Sequence, residues 1–106
     1  MVKEMTPVQF KARAETGWAP ILLDVREAWE LAIARLDEAA HIPMGEVPAR
    51  LAELDRDRDI VVLCRSGGRS AQVAGFLEQQ GFEKVWNLAG GILAWSDQLD
   101  SSIPQY

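Results

Sequence analysis

The chain has 106 residues, 48% of them hydrophobic and 25% charged, with a net charge of −5. That is enough for one compact domain over 1–106 with its own core, and the sign argues against a nucleic-acid partner or an anionic membrane surface. No apolar run approaches the roughly 20 residues of a membrane span, and Met1 to Phe10 has no basic-then-apolar leader pattern, so a cytoplasmic location is expected.

Helical and extended signals alternate along the chain. Thr6-Pro7-Val8-Gln9 predicts a helix start, with Thr6 as N-cap, Pro7 at the first position and Gln9 completing a capping box. That helix is expected to stop near Gly17. Ile21-Leu22-Leu23, ending in Asp24, reads as a buried parallel strand. Trp29, Ala32, Ile33 and Leu36 fall on one helical face. Ala40-His41-Ile42-Pro43 reads as extended, and Val47, Leu51 and Leu54 mark a further helix with Pro48 in its first turn. Ile60-Val61-Val62-Leu63 is the clearest strand, four apolar residues of which three are β-branched. A small-residue loop follows, then a helix with Val73, Ala74 and Leu77 on one face and Gly81 as its stop. Lys84 to Asn87 predicts the last strand, and Gly90-Gly91 opens a final helix with Ile92, Trp95 and Leu99 inward. Trp29, Trp86 and Trp95 are assigned to core faces, Trp18 to a turn. The tail Ser101 to Tyr106 has no periodicity and is expected to be partly mobile. The expected fold is α/β, a mostly parallel sheet with helices on both faces.

Cys64 is the only cysteine. It excludes an internal disulfide and any CxxC metal or dithiol motif, and agrees with a reducing compartment; no metal or cofactor is expected. It stands directly after the best strand, where open parallel sheets build their sites. A helix expected from about Arg69 or Ser70 would turn its unpaired N–H groups toward the loop. Gly67 and Gly68 let amides converge on one centre, and Arg65 and Arg69 add positive charge. No Asp or Glu occurs from Ile60 through Leu77, although the chain holds 16 acids. Each feature favours the thiolate, the nucleophilic form. A buried structural cysteine is the competing reading.

Three segments resemble the single-domain rhodanese family: Asp24-Val25-Arg26-Glu27, the loop Cys64-Arg65-Ser66-Gly67-Gly68-Arg69-Ser70, and Leu88-Ala89-Gly90-Gly91-Ile92-Leu93-Ala94-Trp95. Ala40-His41-Ile42-Pro43 resembles the family's GHIPGA element, although Ala40 and Met44 stand where that element has glycine. The resemblance implies a rhodanese-like fold and a catalytic Cys64 that takes a sulfane sulfur from a donor such as thiosulfate. Cyanide or a thiol would accept it. It also implies that Asp24 and Arg26 support the active-site loop, whose other members are Arg65, Ser66, Gly67, Gly68, Arg69 and Ser70. Ser66 and Ser70 either donate to the persulfide or cap the helix. His41 is read as a packing or hydrogen-bonding residue in preference to a partner of Cys64.

Three rivals remain open on these residues. A cysteine phosphatase or arsenate reductase needs five residues between Cys and Arg to hold a tetrahedral oxyanion, and Cys64 and Arg69 are separated by four. A regulatory rhodanese-like module often lacks the cysteine that this chain has. A protein-to-protein sulfur relay differs from a small-molecule enzyme only in its acceptor. With no second cysteine to resolve a persulfide, that acceptor is external.

Overall fold

The computed structural model describes residues 2–106. Among the described residues, five strands form one sheet in the order β1-β5-β4-β2-β3, and every pairing is parallel: β1 (Lys3–Met5), β2 (Ile21–Asp24), β3 (Ala40–His41), β4 (Ile60–Leu63) and β5 (Val85–Leu88). β4 lies at the centre. Its four residues are all fully buried, which is why it reads as an uninterrupted apolar run.

The alternation of side chains along the strands divides the core in two. Leu23, Ile60 and Val62 point to one face and pack with Val73, Ala74 and Leu77 of α3 (Gly68–Gln79). Leu22, Val61 and Leu63 point to the other and pack with Phe10 of α1 (Pro7–Ala14) and Ile92 and Trp95 of α4 (Gly91–Gln98). Helices thus cover both faces, as expected. The predicted capping box is present: the Thr6 hydroxyl accepts the Gln9 N–H at 3.1 Å, and the Gln9 side chain accepts the Thr6 N–H at 2.9 Å.

The expected helix through Leu36 is different. α2 spans only Ala28–Ile33, and Ala34 is already extended (φ −153°, ψ 131°). Trp29 and Ile33 are therefore not core residues: they are 63% and 43% exposed, while Glu30 is buried. No α-helix forms over Val47, Leu51 and Leu54: Leu51 lies in the second of two 3-10 turns, Met44–Glu46 and Pro48–Glu53, Val47 joins the two, and Leu54 ends the second with extended backbone. β1 has no counterpart in the sequence reading. Among the described residues, no helix is long and apolar enough to cross a membrane.

Candidate active site

Parallel register brings the candidate residues together. Asp24 is opposite Leu63, so β2 and β4 end side by side. The Val25 N–H donates to Leu63 O at 3.0 Å, which carries Arg26 past the end of β2 as Cys64 leaves β4. From the other side, α4 docks its first turn onto the loop. The N–H groups of Ile92 and Leu93 donate to the carbonyls of Cys64 and Arg65 at 2.9 and 3.1 Å. Gly91 makes this approach possible. It has φ +62°, and a Cβ there would fall 2.4 Å from Arg65 O and 2.5 Å from Cys64 O.

α3 begins at Gly68, and its N-cap Gly67 has φ +109°. This left-handed turn points the Gly67 N–H at Cys64 Sγ, 3.0 Å away. The Ser70 hydroxyl, one turn into the helix, lies 3.2 Å from the same sulfur. Cys64 itself is only 1% exposed. Burial pushes its thiol pKa up, but the Ser70 hydroxyl and the N–H groups of Ser70, Gly67 and Ser66 more than offset this, and the net direction is down. The sulfur thus sits where an anion is held by oriented donors.

The two loop arginines are not free. Arg69 donates from Nη1 and Nη2 to the two oxygens of Glu30, 2.7 Å each. That fork, with burial opposing it and the Glu27 N–H assisting, holds the Glu30 carboxyl down at about 2. The loop is acid-free in sequence, but α2 supplies the acid in space. Arg65 folds against the C-terminal residue: its Nε donates to the main-chain oxygen of Tyr106 at 2.6 Å, Nη2 reaches the same atom, and the guanidinium lies 5.3 Å from the Tyr106 ring centroid.

Asp24 and Arg26 form a buried pair, closed by contacts of 2.7 to 3.2 Å from the guanidinium to both carboxylate oxygens. Neither makes a hydrogen bond to residues 64–70 among the described residues. Their link runs through Tyr106, whose hydroxyl accepts from Arg26 Nη1 at 2.9 Å and donates to Glu30 Oε1 at 2.8 Å. Burial raises the Tyr106 pKa, which keeps that hydroxyl a donor. His41 is in the position expected of a hydrogen-bonding residue: its Nε2 donates to the Arg26 carbonyl at 2.6 Å. Ser66 is exposed and contributes its N–H group. Sequence reasoning missed Glu30 and Tyr106. Glu27-x-x-Glu30, with Glu30 accepting the Glu27 N–H at 2.9 Å, was the available signal for the first.

The Rhodanese-like domain family matches residues 6–98. The chain belongs to that family. A sulfurtransferase of Allochromatium vinosum is 40% identical over 96 residues, covering 91% of this chain and 90% of that protein. A rhodanese-like domain protein from Staphylococcus aureus superposes with a TM-score of 0.85 at 28% identity, covering 99% of each chain. A NAD-dependent persulfide reductase from A. fulgidus matches 89% of this rhodanese-like chain at 33% identity and a TM-score of 0.73, over 16% of its own length. The protein is accordingly a member of a sulfurtransferase family, with the rhodanese-like fold.

Proposed function

We propose that this rhodanese-like chain moves a sulfane sulfur from a donor such as thiosulfate to a thiophilic acceptor through a persulfide on Cys64. The observation that carries the reading is the placement of Sγ, 3.0 Å from the Gly67 N–H and 3.2 Å from the Ser70 hydroxyl at the start of α3. Both donors stabilise the thiolate there, and the N–H groups of the loop then stabilise the terminal sulfur of the persulfide. In the first step the thiolate attacks the outer sulfur of thiosulfate. A bond forms between Sγ and that sulfur, the sulfur–sulfur bond of the donor breaks, and sulfite leaves with the electron pair. In the second, cyanide or a thiolate takes the terminal sulfur and Cys64 leaves as thiolate. Ser66, Gly67, Gly68 and Ser70 form the cradle in this reading. Arg65 attracts the anionic donor, Arg69 fixes the loop, and Asp24 and Arg26 support it through Tyr106 and Glu30. No metal or cofactor takes part.

Phosphate chemistry is disfavoured by a specific contact. An oxyanion-binding arginine must point into the loop, and Arg69 is spent on Glu30. A protein acceptor is the second reading, favoured by Trp29, an aromatic residue 63% exposed beside Tyr106 at the edge of the site.

Intact-mass analysis after exposure to thiosulfate tests the proposal. The wild-type chain is expected to gain one sulfur atom and to lose it to cyanide as thiocyanate. Cys64→Ser should gain none while keeping its fold. A serine variant that still turned over, or a wild-type chain that efficiently hydrolysed aryl phosphates, would overturn it.

A further inference from the structure

The Ser70 hydroxyl has one proton and two acceptors. Cys64 Sγ lies 3.2 Å from its oxygen, and Asn87 Oδ1 lies 2.5 Å away on the other side. Ser70 is fully buried and Asn87 is 3% exposed, so no bulk water resolves the competition. The direction of the Asn87 amide is fixed by its other end. Nδ2 lies 3.1 Å from both carboxylate oxygens of Glu4 on β1 and 3.2 Å from the Gly67 carbonyl. Turning the amide over would set its oxygen against three acceptors, so Oδ1 faces Ser70.

From this geometry we infer that Asn87 is a positioning residue, setting the reactivity of Cys64 by competing with the sulfur for the Ser70 proton. The inference rests on the reading of Cys64 as the nucleophile and adds how its charge is regulated through the cycle. With Cys64 as thiolate, a charge-assisted bond draws the Ser70 proton to Sγ, and Asn87 Oδ1 loses its donor. Once Sγ is bonded to a second sulfur, the charge has moved to the terminal atom. Sγ is then a poor acceptor, and the hydroxyl swings back to Asn87. No proton leaves Ser70 at any stage; only the direction of its O–H bond changes. The donation therefore favours the free thiolate over the persulfide, which assists the second half-reaction, where the thiolate is the leaving group.

A purely structural Asn87 would behave in the opposite sense. If it merely braced the loop through the Gly67 carbonyl, its loss would disorder the donors around Sγ and weaken the thiolate. Competition for a proton predicts that its loss strengthens the thiolate, because the Ser70 proton is left to sulfur alone. The charged groups around the site are the same in the parent and in the alanine variants: Arg65 in the loop, Arg69 on α3 with Glu30 on α2, Asp24 and Arg26 at the end of β2, Glu4 on β1, and the Tyr106 hydroxyl.

The test is the pH midpoint of Cys64 alkylation by iodoacetamide, without sulfur donor, in Asn87→Ala, Ser70→Ala and the double variant. One redirected hydrogen bond predicts a midpoint lowered by roughly 0.5–1 pH unit in Asn87→Ala and raised by a similar amount in Ser70→Ala. The double variant should match Ser70→Ala alone. A raised or unchanged midpoint in Asn87→Ala, or an equal effect of that change with and without Ser70, overturns the inference. Should Asn87→Ala fail to fold, Asn87→Asp made together with Glu4→Gln retains the shape and strengthens the acceptor. Its midpoint should rise more with Ser70 present than in a Ser70→Ala background, and an equal rise in both overturns the inference. Alkylation does not depend on sulfur transfer, so the mass measurement on the wild-type chain reports separately on the proposed activity.

Discussion

Arg69 and Glu30, thirty-nine positions apart, meet as a two-pronged ion pair with both contacts at 2.7 Å. The arginine closes the cysteine loop and the glutamate is buried in α2, so this one pair joins the loop to the wall beside it.

Breaking the pair should cost stability unequally. Arg69→Ala leaves a buried carboxylate with only Tyr106 and the Glu27 N–H as donors, and should destabilise by about 2–3 kcal/mol. Glu30→Gln keeps a hydrogen-bonding shape and should cost about 1–2 kcal/mol. Urea unfolding of both variants decides; equal and negligible losses would show that the pair contributes nothing.

Acid should weaken the fold through Glu30. Its carboxyl is held at about 2 against an ordinary 4.5, so between these values the unfolded chain binds a proton that the folded chain does not. The stabilisation is thus fully present above about 4.5 and is lost as pH falls toward 2. Stability measured against pH should drop more steeply in the wild type than in Glu30→Gln across that window. Parallel curves would contradict the assignment.

The two loop arginines should separate kinetically. Arg65 touches Tyr106 and not the sulfur's donors, so Arg65→Ala should raise KM for thiosulfate severalfold with a smaller change in kcat, and salt should shrink the defect. Arg69→Ala should lower kcat and raise the Cys64 pKa, because the loop loses its anchor. Steady-state kinetics at low and high ionic strength test this. Identical defects that vanish together in salt would reduce both residues to a diffuse field.

Gly91→Ala should be the most damaging small change near the site. The new methyl would meet the main chain of Cys64 and Arg65 at 2.4–2.5 Å, and neither can move without dragging the loop. A loss of about 2–4 kcal/mol is expected, with reduced sulfur transfer even at temperatures where the variant stays folded. Wild-type melting and activity in that variant would refute the close approach.

The sequence made the cysteine loop legible because its parts are contiguous: strand end, glycines, arginines and helix start follow one another within a few residues. What it hid are contacts between distant segments. Glu30 reads as an exposed helical charge until Arg69 and Tyr106 come to it. Trp29 and Ile33 read as core because apolar spacing was projected through a helix that ends at Ile33, before the pattern completes. β1 escaped notice because Lys3-Glu4-Met5 is a three-residue edge strand with a single buried side chain. Asn87 looked like the end of a strand, and nothing local to it announces Ser70 or Glu4. The Ser101–Tyr106 segment lacks any period, yet Tyr106 touches Arg26, Glu30 and Arg65 through atoms that no helical or strand pattern encodes.

The pairing of β1 with β5, Met5 opposite Leu88, has a consequence for how the chain is made. At about 5–20 residues per second on the ribosome, the first strand is synthesised seconds before its only neighbour in the sheet exists. Met5 must wait uncovered through that interval, a window in which chaperones or other nascent chains can reach it. β2 and β4 can zip earlier, over a much shorter loop. Glu4, which orients Asn87, therefore arrives among the last pieces, and a newborn chain can be compact before the surroundings of its cysteine are complete.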